Sequence, residues 1–129
     1  MAKPSSARAV STALALDVVL VVLFALIGRA SHDEGVFGAN GWGLATTAWP
    51  FLVGLAVGWL ITVAWRRPTA PVRTGLGLWM TTVVVGMLLR AVSGQGTALA
   101  FIVVATITLL VFLVGLRALA SAFSRRRRA

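Results

Sequence analysis

Four long apolar stretches, residues 11–28, 47–65, 75–92 and 97–116, leave this chain few ways to fold. Each has the length of a helix crossing a hydrocarbon layer, which takes about 20 residues with a range of roughly 17–25. The breaks between them sort charge. Threading the chain so that alternate breaks share a side groups ten of the twelve basic residues together: Lys3, Arg8, Arg66, Arg67, Arg73, Arg117, Arg125, Arg126, Arg127 and Arg128. Only Arg29 and Arg90 fall on the other side, where the acids Asp33 and Glu34 lie. Lys and Arg in short loops set orientation by staying on the cytoplasmic side. The pattern predicts an all-α, integral membrane four-helix bundle with short connections. Residues 1–10 are expected to form a cytoplasmic tail, 11–117 the transmembrane domain and 118–129 a basic cytoplasmic tail. Such sorting also predicts one orientation in the cell membrane, which disfavours antiparallel dimers of dual topology.

The first stretch contains a carboxylate, so its insertion needs an energetic argument. Asp17 costs roughly 2.5–3.5 kcal/mol at a helix centre and less towards an end. Against it stand eleven Leu, Ile, Val and Phe residues, each contributing about −0.3 to −0.6 kcal/mol. The apolar side wins and the segment inserts. A second reading makes the same stretch a cleaved signal peptide, with Lys3 and Arg8 before an apolar run and Gly28-Arg29-Ala30 as a small-x-small site. Asp17 and Arg29 both count against that reading. Charge sorting does not choose between the two, because the remaining three helices would keep their orientation.

The breaks have their own chemistry. Arg66-Arg67-Pro68 and Pro71 stop the second helix, since proline lacks a donor and restricts the residue before it. Thr46 or Thr47 is placed to cap the second helix, with Pro50 in its first turn, and Thr97 to cap the fourth. Short second and third connections imply antiparallel neighbours. Helices in lipid are held by close packing and polar contacts rather than by exclusion from water. The strongest packing signal is Gly54-x-x-x-Gly58, with Gly28 and Gly86 as further points of close approach; these glycines pack the monomer or form a dimer interface. Trp49, Trp59, Trp65 and Trp79 lie near helix ends, as an aromatic belt at the membrane interface requires.

The remaining polar groups at membrane depth are the candidate site. Asp17 shares a helix face with Val21, Phe24 and Gly28, and Arg117 is its expected ionic partner, with Thr81 and Thr82 as alternative donors. On the opposite side Arg29 and Arg90 face the loop that supplies His32, Asp33 and Glu34. Intramembrane charge is a functional site by default, here a proton- or ion-linked pathway from the outer cluster to Asp17. The other reading takes Asp17–Arg117 and Arg90–Asp33/Glu34 as structural ties, which fits their position near the interfaces. Ser31-His32-Asp33 has the letters of a catalytic triad, but consecutive side chains diverge and a triad is defined by geometry. A single histidine and no cysteine argue against a metal site or a disulfide. No nucleotide or haem motif occurs, so no cofactor is expected. The net charge of +9 resides in loops and tails without interleaved aromatics. It therefore points to anionic lipid headgroups, above all at the tetra-arginine tail, and not to nucleic acid. A homo-oligomer or a membrane protein partner is compatible with the pattern. The expected role is a non-enzymatic structural or accessory element; the alternative is a small proton- or ion-linked transporter or channel.

Three strings carry a resemblance. Leu16-Asp17 through Gly28-Arg29-Ala30-Ser31-His32, Trp49-Pro50-Phe51-Leu52-Val53-Gly54 and Gly86-Met87-Leu88-Leu89-Arg90 with Gly94-Gln95-Gly96-Thr97 resemble an uncharacterised family of small four-helix membrane proteins, domain of unknown function 3054, of actinobacterial and haloarchaeal type. The resemblance covers about Leu14 to Arg117. It implies that the first helix is retained and that the four-helix architecture holds. It implies no activity.

Overall fold

The computed structural model describes residues 6–30, 38 and 41–128. They form four rods: α1 (Ala7–Ala30), α2 (Gly43–Ile61), α3 (Pro71–Val92) and α4 (Leu99–Arg127), each long and apolar enough to cross a membrane. Each packs against its chain neighbours, and α4 closes the ring on α1. The most extensive seam joins α2 to α3. Most of the apolar surface points outward. In α4 only 17% of the most apolar window is buried and in α2, the best covered, 44%. Leu16, Val19, Leu60, Ile61 and Val92 are all more than half exposed. An exposed apolar surface on this scale requires an apolar solvent, so this is a multi-pass membrane protein.

The α2–α3 seam explains the glycine spacing. A Cβ on Gly54 would lie 2.9 Å from the Thr82 carbonyl oxygen and 3.0 Å from Thr82 Cα. One on Gly58 would lie 3.1 Å from Leu78 Cδ2 and 3.2 Å from Thr81 Cβ. The Gly54-x-x-x-Gly58 pair thus brings two backbones of one chain together. Gly86 makes room for the Phe51 ring in the same seam. Gly28 does not behave this way: a Cβ there would meet nothing within 4 Å among the described residues. The buried stripe of α1 runs Ala13, Asp17, Val21, Phe24 and Ala25, and Gly28 has passed beyond the part of α1 that touches its neighbours.

Two helix starts differ from the sequence expectation. α2 opens at Gly43, and its N-cap residue Trp42 makes no side-chain cap bond. Thr46 instead donates backward, through both its N–H and its hydroxyl, to the Trp42 carbonyl at 2.9 Å each. Pro50 is therefore inside the helix, where its missing N–H leaves the Thr46 carbonyl without its intrahelical donor. Gln95 in the outer turn supplies one, with Nε2 3.0 Å from that oxygen. α4 starts at Leu99 after Ala98 rather than at a Thr97 cap.

The other end of α2 also departs from expectation. The helix stops at Ile61, ahead of Arg66-Arg67-Pro68, because Val63 turns left-handed (φ 52°, ψ 49°) before a 3-10 turn at Ala64–Arg66. A β-branched residue in that region is strained. The helix of α4 runs on through the arginine tail, so residues 118–128 are helical rather than an irregular extension.

Two π turns break the α-helical register. α3 begins with one at Pro71–Leu76, and α4 contains one at Leu110–Gly115 before the α form resumes at Leu116. They pack on each other. A Cβ on Gly75 would lie 3.2 Å from the Leu113 carbonyl and 3.4 Å from Arg117 Cδ, so only a glycine lets the first turn seat on the second.

Candidate functional site

The π turn in α4 sets the azimuth of the residue that follows it. One surplus residue in a helix rotates everything beyond by about 100°, and here Arg117 ends up facing the bundle. Its guanidinium meets the Asp17 carboxylate in a two-pronged pair, Nη1 to Oδ1 at 2.8 Å and Nη2 to Oδ2 at 2.7 Å. Asp17 is 2% exposed and Arg117 8%. Further bonds complete the group. Arg117 Nε donates to the Pro68 carbonyl at 2.8 Å, and Nη1 also donates to the Leu113 carbonyl at 3.0 Å inside the π turn. Trp59 Nε1 donates to Asp17 Oδ2 at 2.9 Å. One knot of hydrogen bonds therefore joins α1, α2, the loop before α3, and α4. Charge-assisted, forked bonds of this kind are the strong class of hydrogen bond.

Trp59 was missed as a partner of Asp17. Its place near the end of α2 reads as part of an interfacial belt, yet it is 6% exposed and points inward. Trp79 is also a tie, its Nε1 2.9 Å from the Thr106 carbonyl of α4. Trp49 and Trp65 are the more exposed members of the set. The alternative donors to Asp17 are engaged elsewhere or remote. Thr81 Oγ1 bonds the Gly77 carbonyl at 2.8 Å, and Thr82 Oγ1 is buried in the α2–α3 seam without a hydrogen-bond partner among the described residues.

A groove of about 550 Å³ adjoins the knot. Ala9, Ala13 and Leu20 of α1 face Phe112, Leu116 and Ala120 of α4 across it. Pro68 and Thr69 close one side, Asp17 and Arg117 line it, and Arg8 and Ser6 belong to its α1 end. The volume is that of an ordinary small-molecule pocket.

At the opposite end, Arg90 is 9% exposed. Nε and Nη2 hold the Gly96 carbonyl at 3.0 and 2.8 Å, and Nη1 holds Gln95 Oε1 at 2.9 Å. The guanidinium carbon lies 4.1 Å from the centre of the Phe101 ring, a cation–π contact. Phe101 in turn packs on Phe24 and Phe51, each with centroids 6.1 Å away. Arg29 Nη1 donates to Thr47 Oγ1 at 3.1 Å, joining the ends of α1 and α2. His32, Asp33 and Glu34 lie outside the described residues. Arg29 and Arg90 thus each fasten an outer connection, and the expected cluster is represented by its two arginines.

Four apolar spans with polar groups fastened between them define an integral membrane four-helix bundle. The chain belongs to a family described as protein of unknown function (DUF3054), whose model matches residues 14–120. That match takes in α1 with Asp17 and extends just past Arg117. Comparison with curated proteins and with solved structures gives no match.

Proposed function

We propose that this protein is a non-enzymatic structural or accessory element of the cell membrane, held in one orientation with both termini in the cytoplasm. The observation that supports it is the closure of the Asp17 knot. Both carboxylate oxygens are engaged by Arg117, one of them also by Trp59, and the remaining Arg117 donors reach main-chain carbonyls. A carboxylate that exchanges protons during transport needs a state in which it is free and wet; this one is tied to three other parts of the bundle. The orientation is supported by the ten-to-two division of basic residues, and reporter fusions at both termini test it. Cytoplasmic signal at each is expected; an extracytoplasmic C-terminus would overturn it.

A second reading has one observation in its favour. Asp17 and Arg117 also line the groove, so a small opening between α1 and α4 would give the pair access to water. On that reading the protein is a small proton- or ion-linked transporter with Asp17 as its exchanging group. Proteoliposomes under a pH gradient separate the two. The scaffold reading expects no flux above that of empty liposomes. Proton flux by the wild type that disappears in a folded Asp17→Asn variant would establish transport instead.

A further inference from the structure

We infer that the groove between α1 and α4 is a binding site for one anionic glycerophospholipid, drawn from the leaflet that meets the arginine-rich end of the bundle. The walls are apolar and made partly of small residues: Ala9 and Ala13 on α1, and Ala120 on α4. Small side chains at four-residue spacing on α1 leave a channel along the helix axis, which suits an acyl chain better than a compact solute. The polar groups gather at one end. Arg8, Ser6 and Thr12 of α1 and Thr69 of the loop line the groove there, offering one guanidinium and three hydroxyls to a phosphate.

Charge decides the headgroup. Asp17 is the one acid among the lining residues, and Arg117 already neutralises it at 2.7 Å. The groove therefore presents the net positive charge of Arg8, in a region whose flanking chain adds Arg66 and Arg67 just before Pro68. Basic side chains at this depth favour anionic over zwitterionic lipids. A second copy of the chain is a poorer occupant, because it would bring a like-charged arginine-rich end against Arg8. The lipid deepens the scaffold reading by giving it a partner, and the two can fail separately: proton flux judges the Asp17 knot, lipid retention judges the groove.

The test is native mass spectrometry of the full chain released from nanodiscs of mixed phosphatidylglycerol and phosphatidylcholine. The wild type is expected to keep one phosphatidylglycerol per chain under activation that strips phosphatidylcholine. Arg8→Gln should lower that retention by about fivefold, the effect of one basic group near the headgroups. Ala9→Phe, at an exposed position on the groove wall, should abolish it by filling the channel. Arg126→Gln, the same charge change in the tail, should leave it unaltered. Equal retention of both lipids, equal losses in Arg8→Gln and Arg126→Gln, or full retention in Ala9→Phe would each overturn the site. So would a disulfide between two chains formed through Ala120→Cys in phosphatidylglycerol nanodiscs, since the groove would then be covered by a second copy.

Discussion

Removing Arg117 should cost this bundle more than removing Asp17, and removing both should cost less than removing Arg117 alone. In Arg117→Met a carboxylate that is 2% exposed keeps only the Trp59 N–H. The Pro68 and Leu113 carbonyls lose their side-chain donor as well. Stranding one member of a buried ion pair typically costs about 3–5 kcal/mol. In Asp17→Asn the amide oxygen still accepts from Trp59, and Arg117 keeps both carbonyls. Its long stem can also carry the charge towards the headgroups, which the short Asp17 side chain cannot do. A loss of about 1–3 kcal/mol follows. The double variant has no stranded charge, so adding Asp17→Asn to Arg117→Met should restore part of the stability. The cycle should give a coupling of about 2–4 kcal/mol, well above the roughly 0.6 kcal/mol average for interhelical hydrogen bonds in membranes. Reversible unfolding in bicelles on titration with dodecyl sulfate, followed by tryptophan fluorescence, measures all four proteins. Additive losses, with coupling under about 0.5 kcal/mol, would refute the argument that the pair is a single energetic unit.

The glycines provide a paired prediction in the same assay. Gly54→Ala, whose Cβ would press on the Thr82 backbone at 2.9–3.0 Å, should destabilise by about 1–3 kcal/mol, whereas Gly28→Ala, with open space around it, should be neutral or gain up to about 1 kcal/mol from reduced backbone freedom. Val63→Gly should raise the unfolding midpoint by about 1 kcal/mol, because the left-handed conformation at φ 52° no longer strains a branched side chain; a lower midpoint would show that the valine side chain contributes more than its strain. Gln95→Leu should leave the Thr46 carbonyl without its donor and cost about 1–3 kcal/mol, with faster amide exchange in the first turns of α2 as the local signature.

Spans and the principal ion pair were legible because both depend on coarse quantities. Twenty apolar residues in a row identify a span whatever the details of its ends. An acid in α1 and an arginine in α4, at similar depth on the same side of the ladder, have few alternatives to each other. The ends of α2 were not legible, because Pro50 fits either a first turn or an interior position. Only the tertiary contact from Gln95, 49 residues away, makes the interior position tolerable. Trp59 was misread for a related reason: position near a helix end predicts depth, but not which side of the helix faces the bundle. The signal available for it was that α1 and α2 are antiparallel neighbours, one bearing a lone buried acid and the other a donor near the same end. Gly28 shows the converse error. It continues the Asp17 face by helical spacing, but the face has left its neighbours before it is reached. The π turns carry no local sequence signature that distinguishes them from ordinary helix, and Gly75 is explained only once Leu113 is seen beneath it.

The π turn at Leu110–Gly115 also determines how this protein can tolerate changes in chain length. A π turn holds one residue more than the α-helix it interrupts, so a deletion within those six residues can be absorbed by tightening the turn into regular helix. Arg117 would then still face Asp17. The same deletion a turn earlier, at Ala105 or Thr106, has no surplus to absorb it and would swing Arg117 by about 100° towards lipid. Length variation in α4 is therefore confined to a single short window, which makes the residue spacing between α1 and the arginine tail looser than the contacts that depend on it.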